Sequence, residues 1–246
     1  MDGIIGYRRA AVLKTRLALW LLTIALLSLL LGLGRWQLRR AVEKEAMLAR
    51  VAAVLAQRDP RPLAEESARA GLDYAWTEGR GHFVAGPALL LDNQRRGEAV
   101  GVEVFRVFQP EQGQALLVDL GWLPLDAQRH LPRSDAPASP LIVRGLLLPP
   151  PSPGLALGPA YDASDRERWL LTRIDIAALS GALNQPLAMR VLRLDPALPI
   201  GHARDLDILP NTLPPEKHRA YALQWFSLAA ALLVLSLFLQ FRRKPA

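Results

Sequence analysis

PPEKHRAYALQWFSLAAALLVLSLFLQFRRK, Pro214 to Lys244, is the stretch on which the architecture turns. Ala222 to Leu239 carries no charge, and at about 1.5 Å per residue a helix of that length covers the hydrocarbon thickness of a bilayer. Arg242, Arg243 and Lys244 end it as a stop-transfer cluster would. Pro214-Pro215-Glu216 suits a first helical turn, because a missing N–H does no harm there and a carboxylate favours the helix dipole. The spacing therefore predicts a helix that starts above a membrane and runs down into it.

A second such run lies at the other end of the chain, where Leu17 to Leu33 is also uncharged. Arg8, Arg9, Lys14 and Arg16 precede it as a signal-peptide leader would, but its apolar core exceeds the usual 7–15 residues or so and no A-x-A-like site follows. Two spans place both ends on one side, and the basic leader and tail assign that side to the cytoplasm. Arg35, Arg39, Arg40 and Lys44 flank the opposite end of the first span, yet a long loop is translocated despite its charge. The organisation expected is a basic leader (1–16), a first transmembrane helix (17–34), an extracytoplasmic domain (35–213), a helix containing the second span (214–241) and a basic tail (242–246). The expected location is a bacterial cytoplasmic (inner) membrane.

The net charge of +7 resides largely in these flanking clusters. It speaks for topology and membrane lipid, not for nucleic acid. With no cysteine and three methionines, a disulfide framework and a thiol-based copper carrier are excluded.

Between the spans the texture changes. Trp36 to Gln57 continues the first helix, with Leu38, Val42, Ala46, Ala49 and Ala53 at spacings of three and four, until Asp59-Pro60-Arg61-Pro62 stops it. Strands are expected at Ala88–Leu91, Val100–Phe108, Ala115–Leu120, Leu141–Leu148, Trp169–Thr172 and Leu187–Leu194. Turns fall at Asp92-Asn93 with Gly97 and at Pro110–Gly113, and a short helix capped by Asp175 runs to Leu183. Seven prolines with Gly154 and Gly158 mark loops between Leu131 and Gly158. The fold class expected is an α+β domain, mostly antiparallel sheet, flanked by two transmembrane helices.

Catalytic constellations are poor. The chain contains no G-x-S-x-G, Walker loop or H-E-x-x-H, so a hydrolase has neither nucleophile nor base in evidence and the protein reads as a non-enzyme. His82, His130 and His202 stand apart from any second ligand at metal-binding spacing, and Asp92, Asp119 and Asp126 read as turn formers. His218 differs. With Tyr221, Ala222 and Trp225 it falls at i, i+3, i+4 and i+7, one helical face at the membrane surface. An interfacial belt explains the two aromatics. It explains the imidazole less well, and a neutral imidazole is a good haem-iron ligand. The hairpin of spans brings Arg35, Trp36, Arg39 and Arg40 to the level of His218 and Arg219, so both readings stand on the residues alone.

Four segments carry a resemblance. They are Leu33-Gly34-Arg35-Trp36-Gln37-Leu38-Arg39-Arg40 with Lys44, and Leu89-Leu90-Leu91-Asp92-Asn93 with Gly97 and Gly101. The others are Leu117-Val118-Asp119-Leu120-Gly121-Trp122-Leu123-Pro124, and Pro215 to Phe226 with its H-x-x-Y-A-x-x-W-F pattern. In this order, between two spans, they resemble the Surfeit locus protein 1 family of cytochrome c oxidase assembly proteins. The resemblance implies a role in inserting or stabilising haem a in the catalytic subunit of a haem-copper oxidase, alongside other assembly factors. It maps the family's candidate haem-iron ligand onto His218. The expected haem contacts are then His218, a wall of Tyr221 and Trp225, Arg219 or Arg35 at the propionates, and Trp36 and Gln37 packing the opposite helix. The alternative is a membrane-tethered scaffold that holds an oxidase subunit without touching haem. Leu120, Gln94, Val102 and Leu206 depart from the residues usual in that family.

Overall fold

A computed structural model of the chain describes the backbone of residues 2–69, 71, 73–138, 140–151, 158–208 and 212–242, with side chains from Lys14 onward. Part of the proline-rich stretch (152–157) and Arg243 and Lys244 of the expected tail lie outside the described residues. The chain divides into a helical unit, 1–47 with 212–246, and a β unit, 48–211.

The helical unit is made from α1 (Asp2–Gln57), whose last ten residues belong to the β unit, and α4 (Pro215–Arg242). Both are long and apolar enough to cross a membrane and bury little of themselves, which is compatible with a two-span membrane protein. Small residues let them meet. Ala41, Ala222 and Ala229 are buried, and a Cβ added to Gly34 would lie 2.5 Å from the Phe226 ring. In lipid such close approach is the main source of helix association. Gly34→Leu is therefore expected to destabilise the helix pair by about 1–3 kcal/mol, the usual range for overpacking, read as a lower melting temperature of the full chain in detergent.

The β unit adds β1 (Arg61–Pro62), α2 (Leu63–Ala68), β2 (Ala75–Phe83), β3 (Ala88–Arg96), β4 (Ala99–Pro110) and β5 (Ala115–Pro124). After these come β6 (Leu141–Leu148), β7 (Tyr161–Asp162), β8 (Arg168–Leu171), α3 (Ile176–Ala182) and β9 (Leu187–Leu194). The sheet order is β1-β2-β6-β9-β5-β4-β3-β8-β7. An additional β2–β4 pairing, Gly81–Phe83 against Phe108–Pro110, closes β2, β6, β9, β5 and β4 into a ring. The sheet is mixed: β1–β2, β3–β8 and β5–β9 run parallel and the remaining pairs antiparallel. The expectation of a mostly antiparallel sheet missed those three, because strand direction between distant segments leaves no local mark.

Alternation explains why the strands read as continuous apolar runs: both faces are covered. Leu116, Val118 and Leu120 of β5 join Val102, Val104, Phe108, Val143, Leu147, Leu192 and Leu194 in one cluster. Ala115 and Leu117 face the other way, onto Phe105, Leu171, Val191 and the α3 residues Ile176 and Leu179. A third cluster seats Val51 of α1 against Trp76, Leu146 and Leu148. Asp175 caps α3 by accepting from Ala178 N at 3.0 Å, as its position predicts. Asp92-Asn93 is not the turn. It is a bulge inside β3, with Asn93 at φ +56, and the chain reverses at Gly97 (φ +61).

Candidate functional site

At the start of α4, Lys217 N and His218 N both bond to Pro214 O, and Glu216 lies in the first turn. The helix thus begins where the two prolines fix it. One stripe of α4 (Pro215, His218, Ala222, Ala229) is buried, at the i, i+3, i+7 spacing of a packing face.

His218 sits in that stripe with 7% of its surface exposed. Its Nδ1 lies 2.6 Å from Gln37 Oε1 on α1. An amide oxygen only accepts, so Nδ1 carries the proton and donates, and the ring's lone pair is on Nε2. Around this contact Arg219 pairs with Glu45 at 2.9 Å, Arg40 pairs with Glu43 at 2.7 Å, and Lys44 Nζ donates to Leu213 O.

The six expected contacts are not all brought together. Trp225 is half-buried beside the stripe, Tyr221 is 44% exposed to one side of it, and Arg219 is engaged by Glu45. Arg35 and Trp36 are exposed, Trp36 by 50%. The Trp36 position lies roughly 100° around α1 from Gln37. Gln37 packs the opposite helix as expected; Trp36 does not, because Gly34 and Ala41 occupy the facing side and the indole falls outside it.

A second polar site lies in the β unit. Asp119 is no turn former: it sits within β5, 1% exposed, opposite Arg193 in the parallel β5–β9 register, with Arg193 Nε donating to Asp119 Oδ2 at 2.9 Å. Glu103 of β4 shares this face. Burial, then the charge of Asp119 and a hydrogen bond to it, push the Glu103 carboxyl up to about 9. Two carboxyls thus share a single guanidinium, and burial beside Asp119 favours the protonated form of Glu103. Asp119 Oδ1 also accepts from Gly121 N at 2.9 Å, and Trp122 Nε1 donates to Gln94 O at 3.1 Å. The buried pair therefore anchors the Gly-Trp-Leu-Pro segment from beneath.

Leu120 and Val102 are fully enclosed in the core, so these departures concern packing and not a contact surface. Ser134 Oγ meets His202 Nε2 at 2.8 Å, a pair that their separation in sequence hides. Burial, with Arg204 nearby, pushes the His202 pKa down. Among the described residues no carboxylate bonds its other ring nitrogen, and the contact serves to tie two loops together.

The family model described as SURF1 family matches residues 24–230. The chain belongs to the SURF1 family. The match takes in part of each apolar helix and the whole β unit, hence the Gln37–His218 contact and the Asp119–Arg193 pair alike. This is a family of assembly factors associated with cytochrome oxidase assembly, and oxidase subunits are plausible partners. No curated protein matches the chain.

Proposed function

We propose that this SURF1-family chain assists insertion or stabilisation of haem a in the catalytic subunit of a haem-copper oxidase, and that it does so non-enzymatically. In this reading it spans a bacterial inner membrane twice, with both termini cytoplasmic and the β unit periplasmic. The observation that carries the haem part is the Gln37–His218 hydrogen bond. Metal-ligating histidines regularly donate their second ring N–H to an oxygen that fixes tautomer and orientation, and Gln37 leaves Nε2 as the available donor atom.

The residues fit haem in kind. His218 would supply a nitrogen ligand to the iron, Trp225 and Tyr221 the apolar wall, and Arg219 a guanidinium for the propionates. Arg35 and Trp36, exposed on the outer face of α1, would contribute only if the helix turned. When bound, haem a supplies the redox-active iron that the oxidase needs. The chain's own part is to hold the imidazole in one tautomer and to keep water away by packing the ring between two helices. The same packing sets a condition: an iron reaches Nε2 only when the crevice around His218 widens.

The test is the visible spectrum of the full chain purified from cells that make haem a. Wild type is expected to carry haem, and His218→Ala to lose it. Gln37→Leu is expected to retain about 10- to 100-fold less, the usual cost of removing such a supporting hydrogen bond. Wild type free of haem above background would transfer the role to a scaffold that holds an oxidase subunit through the β unit. The burial of His218 favours that second reading.

A further inference from the structure

At the opposite end of the helical unit, a cleft of about 280 Å³ lies between α1 and α4, lined by Arg16, Leu19, Trp20, Thr23, Ser236, Leu239 and Gln240. We propose that it is a binding site for one anionic phospholipid of the cytoplasmic leaflet.

The first argument is charge. Residues 14–33 and 221–242 include no aspartate or glutamate, so Arg16 faces a groove whose lining provides no counter-ion. Lys14 and Arg242 add positive charge at the same level. An arginine in a crevice between spans that has no acidic side chain among the described residues of its lining is open to an anion from outside, and basic pockets between helices on the cytoplasmic side are recognised lipid headgroup sites.

The second argument is the order of chemistry with depth. Arg16 and Gln240 stand at the rim; Thr23 lies seven residues below Arg16, roughly 10 Å along the helix. Thr23 turns its hydroxyl to Leu19 O at 2.9 Å, whereas among the described residues no partner takes the donors of Ser236 or Gln240. Leu19 and Leu239 complete the walls. A phospholipid presents the same sequence of groups: a charged phosphate, ester carbonyls that accept hydrogen bonds, then acyl chain. Trp20, half-buried in the lining, is the residue type that favours this depth. A soluble anion would satisfy Arg16 alone and leave the leucine walls without a partner.

The experiment is lipid retention by the full-length chain in nanodiscs of mixed phosphatidylglycerol and phosphatidylcholine, followed by detergent extraction and native mass spectrometry. Wild type is expected to keep one phosphatidylglycerol in preference to phosphatidylcholine. Arg16→Gln should lower that retention about fivefold, the factor expected of one headgroup cation. Gln240→Leu, which keeps the charge and removes a donor, should lower it as well and stands in if Arg16→Gln inserts poorly. Lys14→Gln removes the same charge from outside the lining and should lower retention clearly less than Arg16→Gln. Equal retention of the two lipids, a Lys14→Gln loss as large as that of Arg16→Gln, or displacement by excess inorganic phosphate would each overturn the site.

Discussion

Arg193→Leu is expected to destabilise the β unit by about 3–5 kcal/mol, the cost of leaving one member of a buried ion pair behind. Arg193 is 8% exposed and its Nε holds Asp119, while Nη1 donates to Asp207 O. Removing the guanidinium leaves two carboxyls facing each other with no cation between them, and strips the chain near Asp207 of a donor. Asp119→Asn should cost distinctly less, because Glu103 lies on the same face and is able to ionise and take over Arg193. The order of the two variants matters more than either value. Equilibrium unfolding of the full chain in detergent, followed by near-ultraviolet circular dichroism, measures both. Were Asp119→Asn as damaging as Arg193→Leu, the two carboxyls would not be interchangeable partners of one cation. Against a typical domain stability of about 5–15 kcal/mol, the larger loss removes a third or more.

The contrast between the two polar sites explains what the sequence discloses. His218 was legible because its neighbours on one helix lie at fixed spacings, and helix geometry converts spacing into position. Gln37 was legible as a packing residue only through the hairpin of spans, while Trp36 beside it was misplaced. Residues one apart diverge by about 100°, and only the glycine and alanine on the facing side tell which of them turns inward. Asp119 and Arg193 were not legible at all. They are 74 residues apart, and nothing in either strand announces that β5 and β9 run parallel and in register. For the same reason β2 escaped notice. Its polar, glycine-bearing sequence, Ala75 to Phe83, is a strand because β6 and the end of β4 pair with it on either side, a tertiary decision that overrides local propensity. Leu141–Leu148 and Leu187–Leu194 were read to the residue because their apolar and β-branched residues dominate, with only Arg144 in the one and Arg190 and Arg193 in the other, and because prolines or turn residues bound them.

Glu103→Gln is expected to flatten the pH dependence of stability and to make the β unit more stable than wild type at pH 8. The unfolded carboxyl titrates near 4.5 and the folded one at about 9, raised by burial and by Asp119 and lowered only partly by Arg193. The folded state therefore holds a proton that the unfolded state releases. The stability this lends is fully present below about pH 4.5 and is lost progressively as pH rises toward 9. A shift of that size corresponds to several kcal/mol across the window, shared between two coupled carboxyls. Glutamine keeps a hydrogen-bond donor toward Asp119 with no proton to lose, so the variant has no such slope. Melting temperatures of both chains at intervals from pH 5 to pH 8 should diverge steadily, with wild type falling. Parallel curves would mean that Glu103 is already ionised beside Asp119, and the neutral arrangement of one proton, two carboxyls and one guanidinium would be wrong. Because Asp119 also accepts from Gly121 N and so fixes the β5 bulge that places Trp122, loss of that proton at high pH should loosen the Gly-Trp-Leu-Pro segment first. Faster amide exchange at Gly121 and Trp122 than in β6 above pH 8 is the accompanying sign.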